Sequence, residues 1–213
     1  MRNPPGQWNK RSAKQLLAFL HLAENLKNEF RHSRTSRGRR ESVAEHVWRT
    51  ALMAILLKPA SATRLNWERL LAMIIIHDLA EARTGDVPIF DAVLRGDKKA
   101  SEKKAMREFQ RMLPRKTGQW LYDLWNEYES QKTPEAKFAN ALDKLEAQLQ
   151  HNEADLRSWI EWEKVRIFGG LDAVASTDKT VRDLKDAIVS EAIQKLRQAG
   201  EDIGRLRKKA RHH

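Results

Sequence analysis

Four residues of this 213-residue chain have the donor atoms of ligands for a borderline divalent cation: His46, the adjacent pair His77 and Asp78, and Asp143. Imidazole nitrogen and carboxylate oxygen together suit such ions, and a site with open positions leaves room for water. Glu81 follows His77 by one helical turn, so on a helix it shares the same face and cleft without being a ligand. The stretch before His46 is rich in arginine, whose planar guanidinium fits a phosphate and keeps its charge throughout. Ion, carboxylate and cationic fork are the parts of a phosphoester hydrolase, in which a metal acidifies its water and draws charge from the phosphoryl oxygens. Taken singly, each residue has an ordinary explanation, because a histidine on a half-apolar helix is commonly a satisfied core residue. The surrounding sequence decides.

The elements that must position these residues read as helices. Glycine and proline are sparse, apolar residues recur at spacings of three or four, and no stretch alternates with period two. The spacing predicts a helix over about 12–30, with Leu16, Phe19, Leu20, Ala23, Leu26 and Phe30 on one face. The arginine-rich stretch 31–40, with Ser33, Ser36 and Gly38, reads as a loop. Ser42 to Glu45 has the capping-box form, which starts a helix running to about Leu57 and fixes His46 near its first turn. Asn66 is placed to cap a central helix whose apolar run 70–76 enters His77-Asp78 and continues to about Ala82. Gly85, Pro88 and Gly96 mark an irregular connection over 85–97. Helices follow over 98–113 and 117–129, and Thr133-Pro134-Glu135 opens another that carries Asp143. A last helix covers about 180–199, and the tail 205–213 is too charged to pack by itself. The tryptophans at 48, 67, 120, 125, 159 and 162 read as core and interface.

Cysteine is absent, which removes disulfides and thiolate sites and makes a reducing compartment the default. The longest apolar runs, 51–57 and 70–76, fall short of the roughly 20 residues that span a bilayer. The amino terminus lacks the apolar core of a secretory signal, so a soluble cytoplasmic protein without membrane contact is expected. The net charge of +11 is concentrated: stretches 31–40 and 205–211 each hold five basic residues and no acid. The first tract can hold an anionic substrate, and the second allows weak nucleic-acid contact.

Three segments carry a resemblance: Glu41-Ser42-Val43-Ala44-Glu45-His46, His77-Asp78-Leu79-Ala80-Glu81 with Gly85-Asp86-Val87-Pro88, and Ala141-Leu142-Asp143-Lys144-Leu145-Glu146. In order and interval they resemble the H, HD and D motifs of HD-domain metal-dependent phosphohydrolases, most closely the 5'-deoxynucleotidase branch, over about residues 16–165. The resemblance implies an all-α HD-domain helical bundle with one divalent ion held by His46, His77, Asp78 and Asp143. That ion is Mn, Co, Fe, Zn or Ni, with Mg also open. It further implies Glu81 and Asp86 as the catalytic carboxylates, Glu81 acting on the attacking water and Asp86 lying beside the sugar. Arg31 is the implied phosphate ligand, with Arg39 next in reach. His32 stands beside the sugar, where these relatives carry a tryptophan.

The expected reaction is hydrolysis of (deoxy)nucleoside 5'-monophosphates to nucleoside and phosphate. The unusually basic loop keeps open a deoxynucleoside triphosphate triphosphohydrolase, and the two basic tracts keep open a nucleic-acid-binding or regulatory protein without turnover. His151 is not expected to hold a second metal. Analogy suggests a homodimer, with the HD-type domain in 1–170 and a C-terminal helical extension and basic tail in 171–213.

Overall fold

The computed structural model describes residues 8–87, 97–172 and 178–211; Pro88, Gly96, His212 and His213 lie outside them. Helix α1 (Lys10–Ala23) begins at Asn9, whose side chain accepts the Ser12 N–H, and tightens into a 3-10 turn, Glu24–Lys27. It ends well short of residue 30. Asn25 turns its amide away to donate to Ala82 O at 3.1 Å, which draws the chain out of the helical path, and Phe30 lies in a strand, 43% exposed.

Stretch 31–40 is not a simple loop. Strands β1 (Phe30–Arg34) and β2 (Arg40–Ser42) form an antiparallel hairpin among the described residues, pairing Phe30 with Ser42 and Arg34 with Arg40. Between those pairs three residues of β1 oppose one of β2, so the strand is bulged. Its side chains are Arg31, His32 and Ser33, which serve a polar site and leave no apolar alternation to read.

Helix α2 (Val43–Leu57) follows directly, and α3 (Trp67–Ile76) starts at the expected Asn66 cap, which accepts the Arg69 N–H. Helix α3 stops at Ile76. Hydrogen bonds from Leu79 N to Ile76 O and from Glu81 N to Asp78 O tighten the chain into turns, and a single helical turn, α4 (Glu81–Thr84), resumes after them. Then come α5 (Lys98–Met112), α6 (Arg115–Ser130) and the long α7 (Pro134–Glu153), with Thr133 as N-cap and Pro134 in the first turn. A short α8 (Glu161–Arg166) was not expected from the sequence; α9 (Lys179–Gln198) matches the expected last long helix.

Helix α7 is the axis of the core. Its Phe138, Ala141, Leu142 and Leu145 are buried against α2, α3, α6 and α9, with Leu70, Met73 and Ile74 of α3 among the residues they meet. Helices α5 and α6 approach closely at Gly118, where a Cβ would stand 2.1 Å from Gln110 O. A smaller cluster joins Trp159, Val165 and Ile167 to Ala192, Leu196 and Leu206. Leu206 belongs to α10 (Ile203–Ala210), so the basic segment does pack, through one buried leucine, with Lys209 and Arg205 paired to Glu161. Of the tryptophans, Trp125 and Trp159 are buried, while Trp48 and Trp120 are exposed.

Candidate active site

The side chains with metal-ligand chemistry converge because three helices deliver them to one point. The capping box forms as expected: Ser42 Oγ accepts the Glu45 N–H, and the Glu45 carboxylate accepts the Ser42 N–H at 2.9 Å. That start sinks His46 completely into the core on the first turn of α2. Neighbours on a continuous helix point about 100° apart, and the termination of α3 at Ile76 relieves this for His77 and Asp78. His77 donates from Nδ1 to Ile74 O at 2.7 Å, which turns its Nε2 to within 3.1 Å of Asp78 Oδ2. Asp143 projects from the middle of α7, with Tyr128 OH 3.4 Å from its Oδ2.

The four groups meet at close range. His46 Nε2 lies 3.0 Å from Asp143 Oδ1 and 3.8 Å from Asp78 Oδ2, and His77 Nε2 lies 3.8 Å from Asp143 Oδ1. An ion with ligands at about 2.0–2.2 Å sets its donor atoms about 3 Å or slightly more apart, so the quartet has the right span. Both imidazoles commit Nδ1 elsewhere, His46 to Glu146 and His77 to the Ile74 carbonyl, and both aim Nε2 at the centre. His77 Nε2 is buried and has no hydrogen-bond partner there. Two oriented imidazoles and two carboxylates fit a divalent cation. Burial and Arg31 push the His46 imidazolium down, but Glu146 and Asp143 prevail and lift its pKa to about 9. Burial likewise opposes the charge on Asp78, yet His77 and His46 hold it at about 2. The centre therefore favours both carboxylates ionised and invites positive charge.

A cavity of about 530 Å³ opens over this point and includes Arg31, Glu81, Asp86 and Lys98 in its wall. Arg31 reaches Asp78 at 3.6 Å and Glu41 at 3.4 Å. Glu81 is 3% exposed; its Oε1 accepts from Lys98 Nζ at 3.1 Å, and its Oε2 has no hydrogen-bond partner. Burial and then the Asp78 charge raise its pKa well above the usual carboxylate range, against the pull of Lys98. Gly85, with φ of 77°, takes a conformation that other residues rarely adopt, and the following Asp86 N–H donates to Glu29 Oε1 at 3.0 Å.

A model of the HD domain family matches residues 23–174. The chain belongs to that family. The bovine (Bos taurus) 5'-deoxynucleotidase HDDC2 is 37% identical over 153 residues, 71% of this chain and 73% of that protein. The human (Homo sapiens) 5'-deoxynucleotidase HDDC2 is 38% identical over 143 residues, 66% of this chain and 69% of that protein. A crystal structure of a predicted metal-dependent phosphohydrolase from Magnetospirillum magnetotacticum MS-1 superposes with a TM-score of 0.73 at 28% identity, covering 87% of this chain and 97% of that one.

Within this HD domain the expected residues separate into two groups. His46, His77, Asp78, Asp143, Glu81, Asp86 and Arg31 share one centre, and His32 lines the same cavity. Arg39 does not. It is 58% exposed and binds Glu45, with Nη1 2.8 Å from Glu45 Oε2, because the hairpin turn brings it beside the first turn of α2. Arg34 and Arg40 bond main-chain carbonyls of Gly38 and Arg31 within the hairpin. Of the five arginines in the basic loop, Arg31 is the one in the cavity wall, so the loop's charge does not favour a more highly phosphorylated substrate.

Several contributors escaped the sequence reading. Glu146, completely buried, holds His46 through Nδ1 and is itself held by Arg49 Nε at 2.7 Å. The signal was present: Glu146 follows Asp143 by three residues, and Arg49 follows His46 by three, each a charge on the ligand's own helical face. Lys98 and Glu163 carry no such signal, since each meets the site from a different element.

Proposed function

We propose that this HD domain hydrolyses the phosphomonoester of (deoxy)nucleoside 5'-monophosphates, releasing nucleoside and phosphate. The observation that carries this reading is the convergence of Arg31 and Glu81 on the same cavity as the His46, His77, Asp78 and Asp143 quartet. A volume of about 530 Å³ accommodates a mononucleotide. The relatives named as 5'-deoxynucleotidases support the same substrate class for this chain.

Arg31 binds the phosphate with its fixed guanidinium, held by Asp78 and Glu41 at the cavity wall. Glu81 orients the attacking water and takes its proton at Oε2, the oxygen that Lys98 leaves uncovered. Burial, with the Asp78 charge, raises the proton affinity of that carboxylate well above that of an ordinary one, which favours its acting as a base. Asp86, beyond Glu81, faces the sugar, and His32 borders it. His46, His77, Asp78 and Asp143 would hold the divalent ion, Mn, Co, Fe, Zn, Ni or Mg, which would supply Lewis acidity toward the phosphoryl oxygens and acidify a water.

The active unit is a homodimer in this reading, because Trp48, Leu52 and Ile55 line one stripe of α2, with Trp48 and Ile55 more than half exposed. No helix among the described residues is long and apolar enough to cross a membrane; the cytoplasm is the proposed compartment. The HD unit proper extends through about residue 170, with α9 and α10 as its C-terminal extension.

The test is product analysis. Metal-stripped protein receives Mn, Co or Mg in turn and is offered dNMPs, NMPs and dNTPs beside the Glu81→Ala and Asp143→Ala variants. Inorganic phosphate and nucleoside from dNMPs, lost in both variants, is the expected result. Tripolyphosphate from dNTPs, or no product from any nucleotide by folded protein, overturns the reading.

A further inference from the structure

Away from the metal quartet, a second group of titratable residues lines the same cavity: His32 on β1, His151 on α7 and Glu163 on α8. Glu163 is only 3% exposed. Its Oε2 accepts the Ile160 N–H at 2.8 Å and so caps α8, while its Oε1 lies 3.3 Å from His32 Nε2 and 3.2 Å from His151 Nε2. One carboxylate thereby caps α8 and stands within ion-pair distance of side chains from the hairpin and α7. His151 also packs edge-on against Trp159, with ring centroids 5.8 Å apart. One turn beyond Trp162 on α8, Arg166 lays its guanidinium 5.2 Å from the Trp162 ring centroid, and both residues also line the cavity.

Position gives this group its meaning. His151 follows Asp143 by eight residues on α7, about 12 Å along the helix axis and about 80° around it, and both line the cavity. Arg31 and His32 are consecutive on the bulged strand, one beside the quartet and the other beside Glu163. The cavity therefore has a phosphate end and, displaced along α7, an end lined by imidazole, indole and guanidinium. Flat aromatic and guanidinium surfaces stack on nucleobases without demanding one base.

We propose that α8 recognises the leaving group: Trp162 and Arg166 stack on the nucleobase, and Glu163 is the positioning residue that locks His32 and His151 beside the sugar. This inference rests on the nucleotidase reading and adds to it the element that distinguishes a nucleotide from any other phosphomonoester. Burial lowers the His151 pKa to about 4, so at neutral pH the imidazole is neutral, with its Nε2 3.2 Å from the carboxylate. Burial alone would raise the Glu163 pKa; His32, His151 and the Ile160 N–H together reverse that and lower it. The three side chains therefore stand together at this end of the cavity without substrate.

The experiment compares dAMP, 2-deoxyribose 5-phosphate and p-nitrophenyl phosphate on metal-loaded wild type, Glu163→Gln and Trp162→Ala. For Glu163→Gln, the ratio of kcat/KM on dAMP to kcat/KM on p-nitrophenyl phosphate should fall about tenfold, through KM. For Trp162→Ala, which removes a side chain 36% exposed and outside the buried core, KM should rise about fivefold for dAMP and less than twofold for 2-deoxyribose 5-phosphate. Equal losses on all three substrates, carried by kcat, would make Glu163 a prop of the catalytic centre and overturn the inference. Unchanged ratios in both variants would overturn it too, while leaving the nucleotidase reading intact. Wild type that hydrolyses p-nitrophenyl phosphate but no dNMP defeats both.

Discussion

His46 Nδ1 and Glu146 Oε2, one hundred residues apart in sequence, are hydrogen-bonded in the buried floor beneath the cavity. The contact fixes which nitrogen of His46 faces Asp78 and Asp143; against burial, His46 first, then Arg31 and Arg49, hold the Glu146 carboxyl below its usual pKa. Glu146→Gln preserves shape and removes the charge that orients the ring. Metal affinity should fall about 10- to 100-fold, the usual cost of losing such a partner. Calorimetric titration of stripped protein with Mn or Zn reads it directly, and unchanged affinity would show that Glu146 serves only to fill space.

Lys98 and Glu81 make the second checkable pair. The ammonium 3.1 Å from Oε1 favours the ionised carboxylate, while burial and Asp78 oppose it. Lys98→Met removes the larger of the two cations that oppose protonation, Arg31 being the other, so the Glu81 pKa must rise, and a base with a higher pKa is protonated over more of the acid range. The acidic limb of the kcat/KM profile should move up by about one pH unit or more, with activity near neutrality falling about tenfold. A limb that stays in place, or moves down, excludes Glu81 as the titrating base.

Legibility followed the range of the interactions. The caps at Ser42, Asn66 and Thr133 are local, each a side chain meeting an N–H three residues away, and all three form as read. The H, HD and D segments are local too, and they carried the family. The hairpin was hidden because its strand positions hold Arg31, His32 and Ser33, chosen for the cavity rather than for an alternating apolar face. The end of α3 was hidden because 70–76 continues smoothly into His77; the break comes from a side-chain-to-carbonyl bond that spacing does not announce. Arg39 was indistinguishable from Arg31 by type, and only the turn geometry sends one to Glu45 and the other to Asp78. Glu163 and Lys98 meet their partners through tertiary contact alone.

Stability has a sharp test at Gly118. Helices α5 and α6 meet there so closely that an alanine Cβ would stand 2.1 Å from Gln110 O and 2.9 Å from its carbonyl carbon. Main chain cannot swing aside as a long side chain can, so the helices must separate. Gly118→Ala should cost about 1–3 kcal/mol, despite alanine's better helix propensity. For a domain of this size each kcal/mol lowers Tm by about 2–4 °C. A thermal melt showing equal or higher Tm would mean that α5 and α6 pack less tightly than this.

Glu45 gives the capping box a pH signature. Its hydrogen bond to Arg39, together with bonds from Ser42, outweighs partial burial and lowers the carboxyl from 4.5 to about 2. A carboxyl depressed in the fold stabilises above its unfolded pKa, and that contribution is lost as pH falls through the folded one. Glu45→Gln removes the charge at nearly constant shape. Because the side chain is 42% exposed, solvent screening limits the effect to about 0.5–1 kcal/mol, the size of an ordinary cap. Wild type should therefore melt a few degrees above the variant from pH 7 down to about 5. The gap should narrow between pH 4.5 and 2, and a gap independent of pH would assign the stabilisation to the side chain's shape instead of its charge.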